Sequence, residues 1–538
     1  MNYQVSLYEM FAASVKLYAD RDALLFKGKS LTYREVLKKI DKLANGLNQI
    51  GLKEGDTITF ALPNVYEAVY GFYASAKLGL KSHMVHPKTP AIQLKKQMEE
   101  TNSHTLVILD TFLDHYKAML NDDGITIYLV NPMDEFSWIK RLIYRFINRK
   151  KLKTGLNMSR VHSFRSLYSS KDYLAKSIDS SQTAALLHSG GTSGKPKTIE
   201  LSHASINYLA SQVQYIVEKD DLKETYMLSV LPMFHGFGLC MGIHAMLTHG
   251  GVDTLMPKFN PKETVRLIAK NRINIIIGVP SLFESLLKQP GFNSPKMRHI
   301  EQAFVGGDYV ATDLKNRFNS QMKKNQSKAR LLEGYGLTEV VTVCCVNTLR
   351  QEQPDSVGKA LPGIEMKIKD LASDRILPAN QDGEIIVSGP TQMNGYLNDP
   401  LATEQTLMNY DGKVWVKTGD LGYMDDEGFV YYKQRLKRII KVSGVPVLPA
   451  EIENLVMHLP EVDEVAAVSA PDINKGNIVR LFIVWKNQTM KLEPSEIKTM
   501  IKNELGVYAI PKEIIELDVL PKTIIGKTDI LRLEKYEQ

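Results

Sequence analysis

Cysteine is scarce in this chain, whose 538 residues include only Cys240, Cys344 and Cys345. An odd and sparse set argues against a disulfide framework and fits a reducing compartment. No run approaches the roughly 20 apolar residues that a membrane-spanning helix needs. The cytoplasm is therefore the expected location.

Several signatures of binding are also missing. The net charge of +7 is modest, and no zinc-finger, RNP or helix-turn-helix pattern occurs, so no nucleic-acid partner is predicted. His244 and His249 have no third ligand at metal-binding spacing, which argues against a zinc site. Asp20 and Asp22 stand where a signal peptide would be cleaved, which argues against an export signal. Residues 1–26 are instead predicted to form a helix and a strand.

The length of the chain favours two or more domains. TITFALP (57–63) and TLVILD (105–110) are apolar runs without alternation, and residues 67–78 between them have helical spacing. This pattern predicts an α/β fold with a parallel sheet covered on both faces. A dense basic run is followed by glycine and proline. This change of composition predicts a domain boundary at 435–440, before a small α+β domain.

SGGTSGKPKT (189–198) is rich in glycine, hydroxyl groups and lysine. Glycines allow backbone N–H groups to converge on a polyphosphate, and lysines add positive charge. It is not a Walker A loop, because Ser189 and Pro196 stand at its required glycine and hydroxyl positions. The alternative is a flexible surface loop. An apolar strand precedes the loop, and a helix over 200–217, capped by Ser202, is predicted after it.

Other clusters suggest nucleotide chemistry. In EGYGLTE (333–339), Tyr335 between two glycines can stack on a base, and Thr338 with Glu339 can bind phosphate and Mg²⁺ together. The alternative is an ordinary turn. Asp420 after a glycine can accept both hydroxyls of a ribose. For Lys527 in PKTIIGK, the alternative interpretation is an ordinary surface lysine. For His235 in MFHGFG, it is a histidine of the apolar core.

Taken in order, these motifs resemble those of the adenylate-forming superfamily: acyl-CoA synthetases, aryl-CoA ligases, luciferases and the adenylation domains of peptide synthetases. SGGTSGKPKT is similar to the family's loop Ser/Thr-Gly-Thr-Thr-Gly-x-Pro-Lys-Gly. YGLTE, KTGDLGY, the segment 433–453 and PKTIIGK are similar to its later motifs, in the same order. The similarity covers almost the whole chain, and five ordered motifs are far more specific than any one of them.

The resemblance implies an α/β N-terminal domain of layered sheets and helices, residues 1–435, and a small mobile α+β domain, residues 436–538. It also implies the reaction. A carboxylate attacks the α-phosphate of ATP to give acyl-AMP and pyrophosphate, and a thiol then converts acyl-AMP into a thioester and AMP. ATP, Mg²⁺ and CoA, or the phosphopantetheine thiol of an acyl carrier protein, are therefore expected.

The resemblance assigns roles by motif position. Lys527 would bridge the acyl carboxylate and the α-phosphate, and Thr338 would contact the α-phosphate. Glu339 would bind Mg²⁺, and His235 would gate the channel to the thiol. The residues implied in cofactor binding are Ser189, Gly191, Thr192, Ser193, Gly194 and Lys197 for the phosphates, Gly306, Gly307 and Tyr335 for adenine, Asp420 and Arg435 for ribose, and Lys441 and Gly444 for the loop that would replace Lys527 beside the thiol.

The chain departs from the family pattern at a few positions without losing an implied catalytic group. Gln434 replaces a glycine, Arg438 stands where an acidic hinge residue is common, and Thr198 replaces the glycine that closes the phosphate loop. Asp308 and Tyr309 replace an Ala-Pro pair.

The acid is expected to be apolar. Amino-acid-activating relatives carry an aspartate for the substrate ammonium, but MFHGFG (233–238) has no carboxylate, and an unpaired buried ammonium would be costly. A fatty or aryl acid is therefore favoured. The residues expected near it are Val279, Phe283, Met241, Val305, Leu337, Val340 and Val341.

Residues 136–153 form a predicted basic amphipathic helix. One interpretation is a surface helix that packs on its own domain and exposes a basic face. The other is peripheral contact with an anionic membrane, at its inner surface. For the whole chain, a carrier-protein ligase and a catalytically idle lipid-binding or scaffold protein remain alternatives, although the presence of Lys197, Glu339, Asp420 and Lys527 argues against the idle protein.

Overall fold

The structure is a computed structural model, and it describes residues 2–120, 124–149, 159–171, 176–189, 196–472, 475–487, 491–523 and 528–536. These residues divide into two compact units. The first comprises the residues up to Ser189, Pro196–Met366 and Val387–Val416, and the second comprises Lys367–Ile386 and the residues from Lys417 onward. The boundary predicted at 435/436 concerns domain movement and stays a prediction.

The α-helices of the described residues are α1 Leu7–Tyr18, α2 Tyr33–Gln49, α3 Tyr66–Leu78, α4 Ala91–Glu100, α5 Trp138–Ile147, α6 His203–Ser211, α7 Val213–Val217, α8 Ala245–Thr248, α9 Pro261–Asn271, α10 Pro280–Leu287, α11 Thr312–Lys324, α12 Pro400–Thr406, α13 Pro449–Met457, α14 Pro494–Leu505 and α15 Ile530–Glu534.

The strands of the described residues are β1 Asp22–Phe26, β2 Lys29–Thr32, β3 Thr57–Ala61, β4 Lys81–Met84, β5 Ser103–Leu109, β6 Thr126–Val130, β7 Val161–Ser163, β8 Thr183–His188, β9 Thr198–Ser202, β10 Tyr226–Ser229, β11 Val252–Leu255, β12 Ile275–Gly278, β13 Gln302–Val305, β14 Leu331–Gly336, β15 Val343–Val346, β16 Lys359–Ala360, β17 Glu365–Lys369, β18 Gly383–Ser388, β19 Gly395–Tyr396, β20 Leu407–Tyr410, β21 Lys413–Met424, β22 Val430–Arg435, β23 Ile440–Val442, β24 Val445–Val447, β25 Val462–Asp472, β26 Gly476–Trp485 and β27 Glu513–Glu516.

Two sheets form the framework of the first unit. One has the strand order β16-β15-β14-β13-β12-β10-β11-β1-β2, and its strands are parallel from β14 to β1. The other has the order β19-β9-β8-β4-β3-β5-β6-β7, and its strands are parallel from β8 to β7. Parallel sheets with buried, continuously apolar strands confirm the α/β prediction.

A layer of helices lies against both sheets. Every residue of α3 is buried, and α3 contacts β3 and β4 on one side and α1 and α2 on another, while α8 contacts β11. Local sequence starts these helices, because Ser6 and Thr32 form capping boxes with Glu9 and Glu35 at the first turns of α1 and α2. The helix predicted over 67–78 is therefore confirmed as α3.

The segment after the phosphate loop differs from the prediction. Residues 198–202 form β9, which pairs antiparallel with β8, and the helix begins only at His203. Ser202 does cap it, with its hydroxyl accepting from the N–H of Ser205 at 3.0 Å. Thr198, Ile199 and Leu201 are buried in the sheet, and this tertiary burial outweighs the helical pattern.

The second unit contains a separate sheet of order β24-β23-β26-β25, with β27 parallel to β26. Its core gathers apolar residues of β26, α13 and α14, including Ile452, Leu481 and Ile497. In the same unit, the end of β21 pairs with β22, which places Asp420 beside Arg435.

Among the residues that the structure describes, no helix combines the length and the apolar character needed to cross a bilayer.

Candidate active site

The carboxyl ends of parallel strands bring the predicted adenine residues together. β13 and β14 are parallel neighbours; Gly306 and Gly307 follow β13, and Tyr335 lies near the end of β14. A Cβ atom on Gly306 would lie 2.7 Å from the carbonyl oxygen of Gly334, so glycine allows a close backbone approach here. This edge is where open α/β sheets bind ligands.

The turn after β14 carries the predicted phosphate and metal residues. Thr338 and Glu339 lie in a 3₁₀ turn, and both are half-buried. The next residue but one, Val341, has φ 69° and ψ −60°, and the N–H of Thr342 donates to the carbonyl of Val340 at 2.9 Å. This is the strained form of the γ-turn, which is unusual for a β-branched residue. Strain of this kind persists only where surrounding contacts hold the backbone.

One of those contacts comes from the segment of His235. A Cβ atom on Gly236 would lie 1.8 Å from the carbonyl oxygen of Val341, so only glycine permits this approach. The chain then continues as a π-helix, Phe237–His244, a form frequent at functional sites. The half-buried His235 therefore lies on the segment that packs against the turn of Glu339.

Ser189 and Lys197 bracket the predicted phosphate loop. The N–H of Ser189 donates to the carbonyl of Lys197 at 2.9 Å, and the N–H of Lys197 donates to Oγ of Ser189 at 3.1 Å. The two ends of the loop are thus held together at the base formed by β8 and β9. Residues 190–195 lie outside the described residues, and with them the predicted Gly191, Thr192, Ser193 and Gly194.

A directional hydrogen-bond chain reaches this base. Ser103 donates to a backbone carbonyl and accepts from Thr59 at 2.8 Å, so Thr59 can accept from Nδ1 of His83 at 3.0 Å. Nε2 of His83 lies 2.8 Å from Nε2 of His188, and Nδ1 of His188 lies 3.3 Å from the hydroxyl of Thr198.

Burial makes both of these imidazoles neutral at neutral pH. Burial lowers the pKa of His188 to about 4 and lowers the pKa of His83 well below its usual value. Each ring then donates through one nitrogen and accepts through the other. The hydroxyl of Thr198, which stands where the family has glycine, becomes the donor that completes the chain at the end of the loop.

Tyr396 contacts both Lys197, which is predicted to bind phosphate, and Glu339, which is predicted to bind Mg²⁺. Its hydroxyl donates to Oε1 of Glu339 at 2.8 Å, and Nζ of Lys197 lies 4.3 Å from the centre of its ring. Burial, and then the nearby Glu339, raise the pKa of Tyr396, so the hydroxyl stays protonated and donates. The sequence prediction missed Tyr396, because its local signal is a Gly-Tyr pair in a turn-rich segment.

The apolar residues expected near the acid divide into two groups. Phe283 and Val305 belong to a core cluster, where the ring of Phe283 packs edge-on against Phe318 with a centroid separation of 5.5 Å. Met241 lies in the π-helix that follows His235, and Val340 follows Glu339 in the 3₁₀ turn. Phe283 thus packs within this core, and its place near the acid stays a prediction.

Asp420 and Arg435 meet within the second unit. Nε of Arg435 lies 3.1 Å from Oδ1 of Asp420, and Nη1 of Arg435 donates to the carbonyl of Thr418 at 3.1 Å. Gly419 adopts φ 69° immediately before the aspartate, and its N–H donates to Glu384 at 3.1 Å. The structure thus brings the two predicted ribose residues into one ion pair.

Lys441 and Gly444 lie on the hairpin of β23 and β24. Ser443 and Gly444 both have positive φ, at 52° and 82°, as a type I′ turn between paired Val442 and Val445 requires. The exposed Lys441 is therefore carried by a short, regular turn. Lys527 lies outside the described residues.

Two of the departures from the family pattern have structural partners in the second unit. The side-chain oxygen of Gln434 accepts from the N–H of Ala450 at 3.2 Å. Arg438 contacts Glu453 at 2.5 Å and donates to the carbonyl of Ala467 at 3.2 Å. Both residues are therefore anchored to α13 and its neighbouring strand.

The donor set around Glu339 suits a magnesium ion bound with substrate. Within the described ranges, no group of three or more His, Cys, Asp or Glu side chains could hold a metal by itself. Mg²⁺ commonly binds through one or two carboxylates together with substrate phosphates. Tyr396 occupies Oε1 of Glu339, and a carboxylate has a second oxygen for a cation.

Comparison with protein families gives two matches. A model described as AMP-binding enzyme matches residues 11–397, and a model described as AMP-binding enzyme C-terminal domain matches residues 451–527. The chain is also similar to solved structures. ATP-bound MatB from Rhodopseudomonas palustris has a TM-score of 0.85 at 23% identity and 99% coverage of both chains. O-succinylbenzoate coenzyme A synthetase from Bacillus subtilis, in complex with ATP and magnesium ion, has a TM-score of 0.78 at 23% identity, with 97% and 98% coverage.

Curated relatives match over nearly the full length. The chain is 30% identical to the long-chain-fatty-acid–CoA ligase of Escherichia coli O6:H1, covering 99% of this chain and 94% of that protein. It is 28% identical to the ligase of the same name from Bacillus subtilis, with the same coverage, and 28% identical to 4-coumarate:CoA ligase 1 of Petunia hybrida, covering 92% and 87%. The predicted adenylate-forming ligase and its fold are confirmed: the chain belongs to the family of AMP-binding enzymes.

Proposed function

We propose that this protein activates a long-chain fatty acid with ATP and transfers the acyl group to CoA. The acid's carboxylate attacks the α-phosphate, which forms acyl-AMP and releases pyrophosphate. The CoA thiol, after losing its proton, attacks the acyl carbon, which forms the thioester and releases AMP. The observation that carries the proposal is the contact of Tyr396 with both Lys197 and Glu339.

The first unit would bind the nucleotide and position its phosphates. Tyr335 with Gly306 and Gly307 would hold adenine, and Lys197 would offset charge on the outer phosphates with the loop residues Ser189, Gly191, Thr192, Ser193 and Gly194. Thr338 would contact the α-phosphate. Mg²⁺, held by Glu339, would neutralise phosphate charge, which is the main obstacle when one anion attacks another.

The second unit would supply the remaining roles. Asp420 and Arg435 would bind the ribose, and Lys527 would stabilise charge during adenylation. A movement of residues 436–538 would then replace Lys527 with the hairpin of Lys441 and Gly444 beside the thiol channel that His235 gates.

Three observations favour an apolar acid. The segment 233–238 has no carboxylate to pair with a substrate ammonium. Met241 in the π-helix and Val340 next to Glu339 are buried and apolar. Two relatives at 28% and 30% identity are named as long-chain-fatty-acid–CoA ligases. A second candidate is an aryl acid, because a 4-coumarate:CoA ligase is 28% identical.

The test is an acid panel with ATP, Mg²⁺ and either CoA or a phosphopantetheinylated acyl carrier protein. Saturated acids of graded length and substituted cinnamic acids are compared by the release of AMP, ADP and pyrophosphate and by the thioester that forms. We expect release of AMP, and not of ADP, when CoA and long-chain acids are supplied. A preference for cinnamic acids would favour the aryl candidate, thioester only on the carrier protein would favour a carrier ligase, and no pyrophosphate with any acid would favour the idle protein.

Removing one oxygen atom tests the role of Tyr396. Tyr396→Phe keeps the ring beside Lys197 but loses the hydrogen bond that orients Glu339. Hydrogen bonds to charged groups are worth about 1.5–3 kcal/mol, so the Mg²⁺ concentration for half-maximal rate should rise about tenfold or more. Steady-state kinetics against free Mg²⁺ measures this.

The matched control is Tyr116→Phe, which removes a 3.0 Å hydrogen bond between a buried tyrosine and the carbonyl of Pro87 and leaves the hydrogen bond of Tyr396 to Glu339 in place. It should lower stability slightly without changing the Mg²⁺ dependence. A Tyr396→Phe enzyme that loses only thermal stability would contradict the positioning role.

A further inference from the structure

Helix α5 is oriented with its apolar face outward. It has no buried residue, and its six large apolar side chains are all exposed: Trp138 67%, Ile139 51%, Leu142 60%, Ile143 52%, Phe146 68% and Ile147 72%. These six are among 19 exposed large hydrophobic residues on the whole described surface. Such clustering marks an interaction surface rather than scattered exposure.

The polar side of the helix faces the protein. The hydroxyl of Tyr144 donates to Oδ1 of the buried Asp110 at 2.5 Å, and Arg141 and Tyr144 are the partly buried residues one turn apart. The interpretation in which α5 packs its apolar face on its own domain is therefore wrong. The hydrogen bond to Asp110, the residue after β5, accompanies this orientation, which periodicity alone leaves open.

Cations border the outward face on both sides. With about 100° between successive residues, Lys140 lies beside Ile147 at one edge and Arg145 lies beside Trp138 at the other. The guanidinium of Arg149 lies 5.0 Å from the ring centre of Phe146. The helix itself contains no acidic residue. Lysine and arginine at the edges of an apolar face can reach phosphate headgroups while the apolar side chains enter the acyl region.

We propose that this surface, α5 with Arg149, docks the enzyme onto an anionic lipid bilayer. A second copy of the chain would cover the same apolar face but would bring the cations of both copies together, which repel. An anionic bilayer matches both the apolar residues and the charge. The inference deepens the proposed function and rests on it for the acid, because a long-chain acid partitions into the bilayer where the enzyme would dock.

Vesicle flotation of the full chain tests the proposal. The vesicles contain phosphatidylcholine alone, or phosphatidylcholine with roughly a third phosphatidylglycerol. The protein should float with the anionic vesicles and not with the neutral ones. The double variants Leu142→Gln with Phe146→Gln, and Lys140→Glu with Arg145→Glu, should each lower the bound fraction about tenfold or more.

Matched controls change equally exposed residues elsewhere. Ile92→Gln with Leu401→Gln removes apolar residues that are 86% and 70% exposed, and Lys38→Glu with Lys96→Glu reverses two exposed charges. Both controls should bind within about twofold of the unchanged protein if α5 is the docking surface. Equal loss in the controls would contradict the assignment to α5.

Other outcomes would overturn the proposal as well. Equal binding to neutral vesicles would contradict the role of the cations. Absence of flotation with either kind of vesicle would contradict membrane docking. Light scattering that shows a dimer, lost with Leu142→Gln and Phe146→Gln, would assign the face to a second copy. AMP release with a water-soluble acid, measured without vesicles, should be unchanged in every α5 variant, so failure of docking is distinguishable from failure of the proposed reaction.

Discussion

Lys527→Ala is expected to lower the rate of acyl-AMP formation by roughly 10³-fold and to leave thioester formation from supplied acyl-AMP within about threefold. During adenylation, the negative charges of the acid and of the α-phosphate come close together, and the ammonium of Lys527 would offset them in its proposed role. In the second step AMP would depart from an adenylate already formed, so that role would end with the first step. Pyrophosphate release and single-turnover thioester formation measure the two steps separately.

Lys522→Ala is the matched control, because Lys522 lies in the same PKTIIGK motif but its ammonium pairs with Glu464 on the surface. Neither step should change in this variant. Equal loss of both steps in Lys527→Ala would argue against the alternation of residues 436–538. It would indicate instead that the lysine supports the enzyme in a single arrangement.

Gly236→Ala is expected to lower both the rate of adenylation and the stability of the protein. The new Cβ atom would lie 1.8 Å from the carbonyl oxygen of Val341, and a backbone atom cannot move aside as a side chain can. The segment of His235 must therefore separate from the turn of Glu339. A displacement of about 1 Å can cost roughly 100-fold in rate, and overpacking costs about 1–3 kcal/mol in stability.

Adenylation rates and thermal unfolding check this prediction. The matched control is Gly242→Ala in the following π-helix, where a Cβ atom would lie 3.3 Å from the end of the Ile277 side chain and 3.7 Å from the carbonyl oxygen of Phe237. We expect little change there. An active and stable Gly236→Ala protein would show that the contact with Val341 does not hold the turn in place.

Much of the candidate site could be predicted from sequence because its signals are local. Residue type and spacing are enough to single out the glycines at 306 and 307 and the carboxylate next to a threonine at 338–339. The order of such motifs along the chain identifies the family. Continuous apolar runs also predicted β3 and β5 correctly, since burial on both faces of a sheet leaves a plain compositional mark.

The local sequence pattern could not predict contacts between segments that are distant along the chain. Residues 200–202 joined strand β9 instead of the predicted helix because β8 offered a partner strand. Tyr396 acquired its place because folding brings it to Glu339, 57 positions earlier in the chain.

Helix α5 shows the division most clearly. Its sequence determined that it would be amphipathic, with apolar and basic sides, because helical periodicity is a property of the segment itself. Which side faces outward is seen only in the tertiary structure, where Tyr144 on the polar side bonds to Asp110 and the apolar residues are exposed. Periodicity describes the two faces of a helix, whereas the partner it finds in three dimensions selects the face that remains for other molecules.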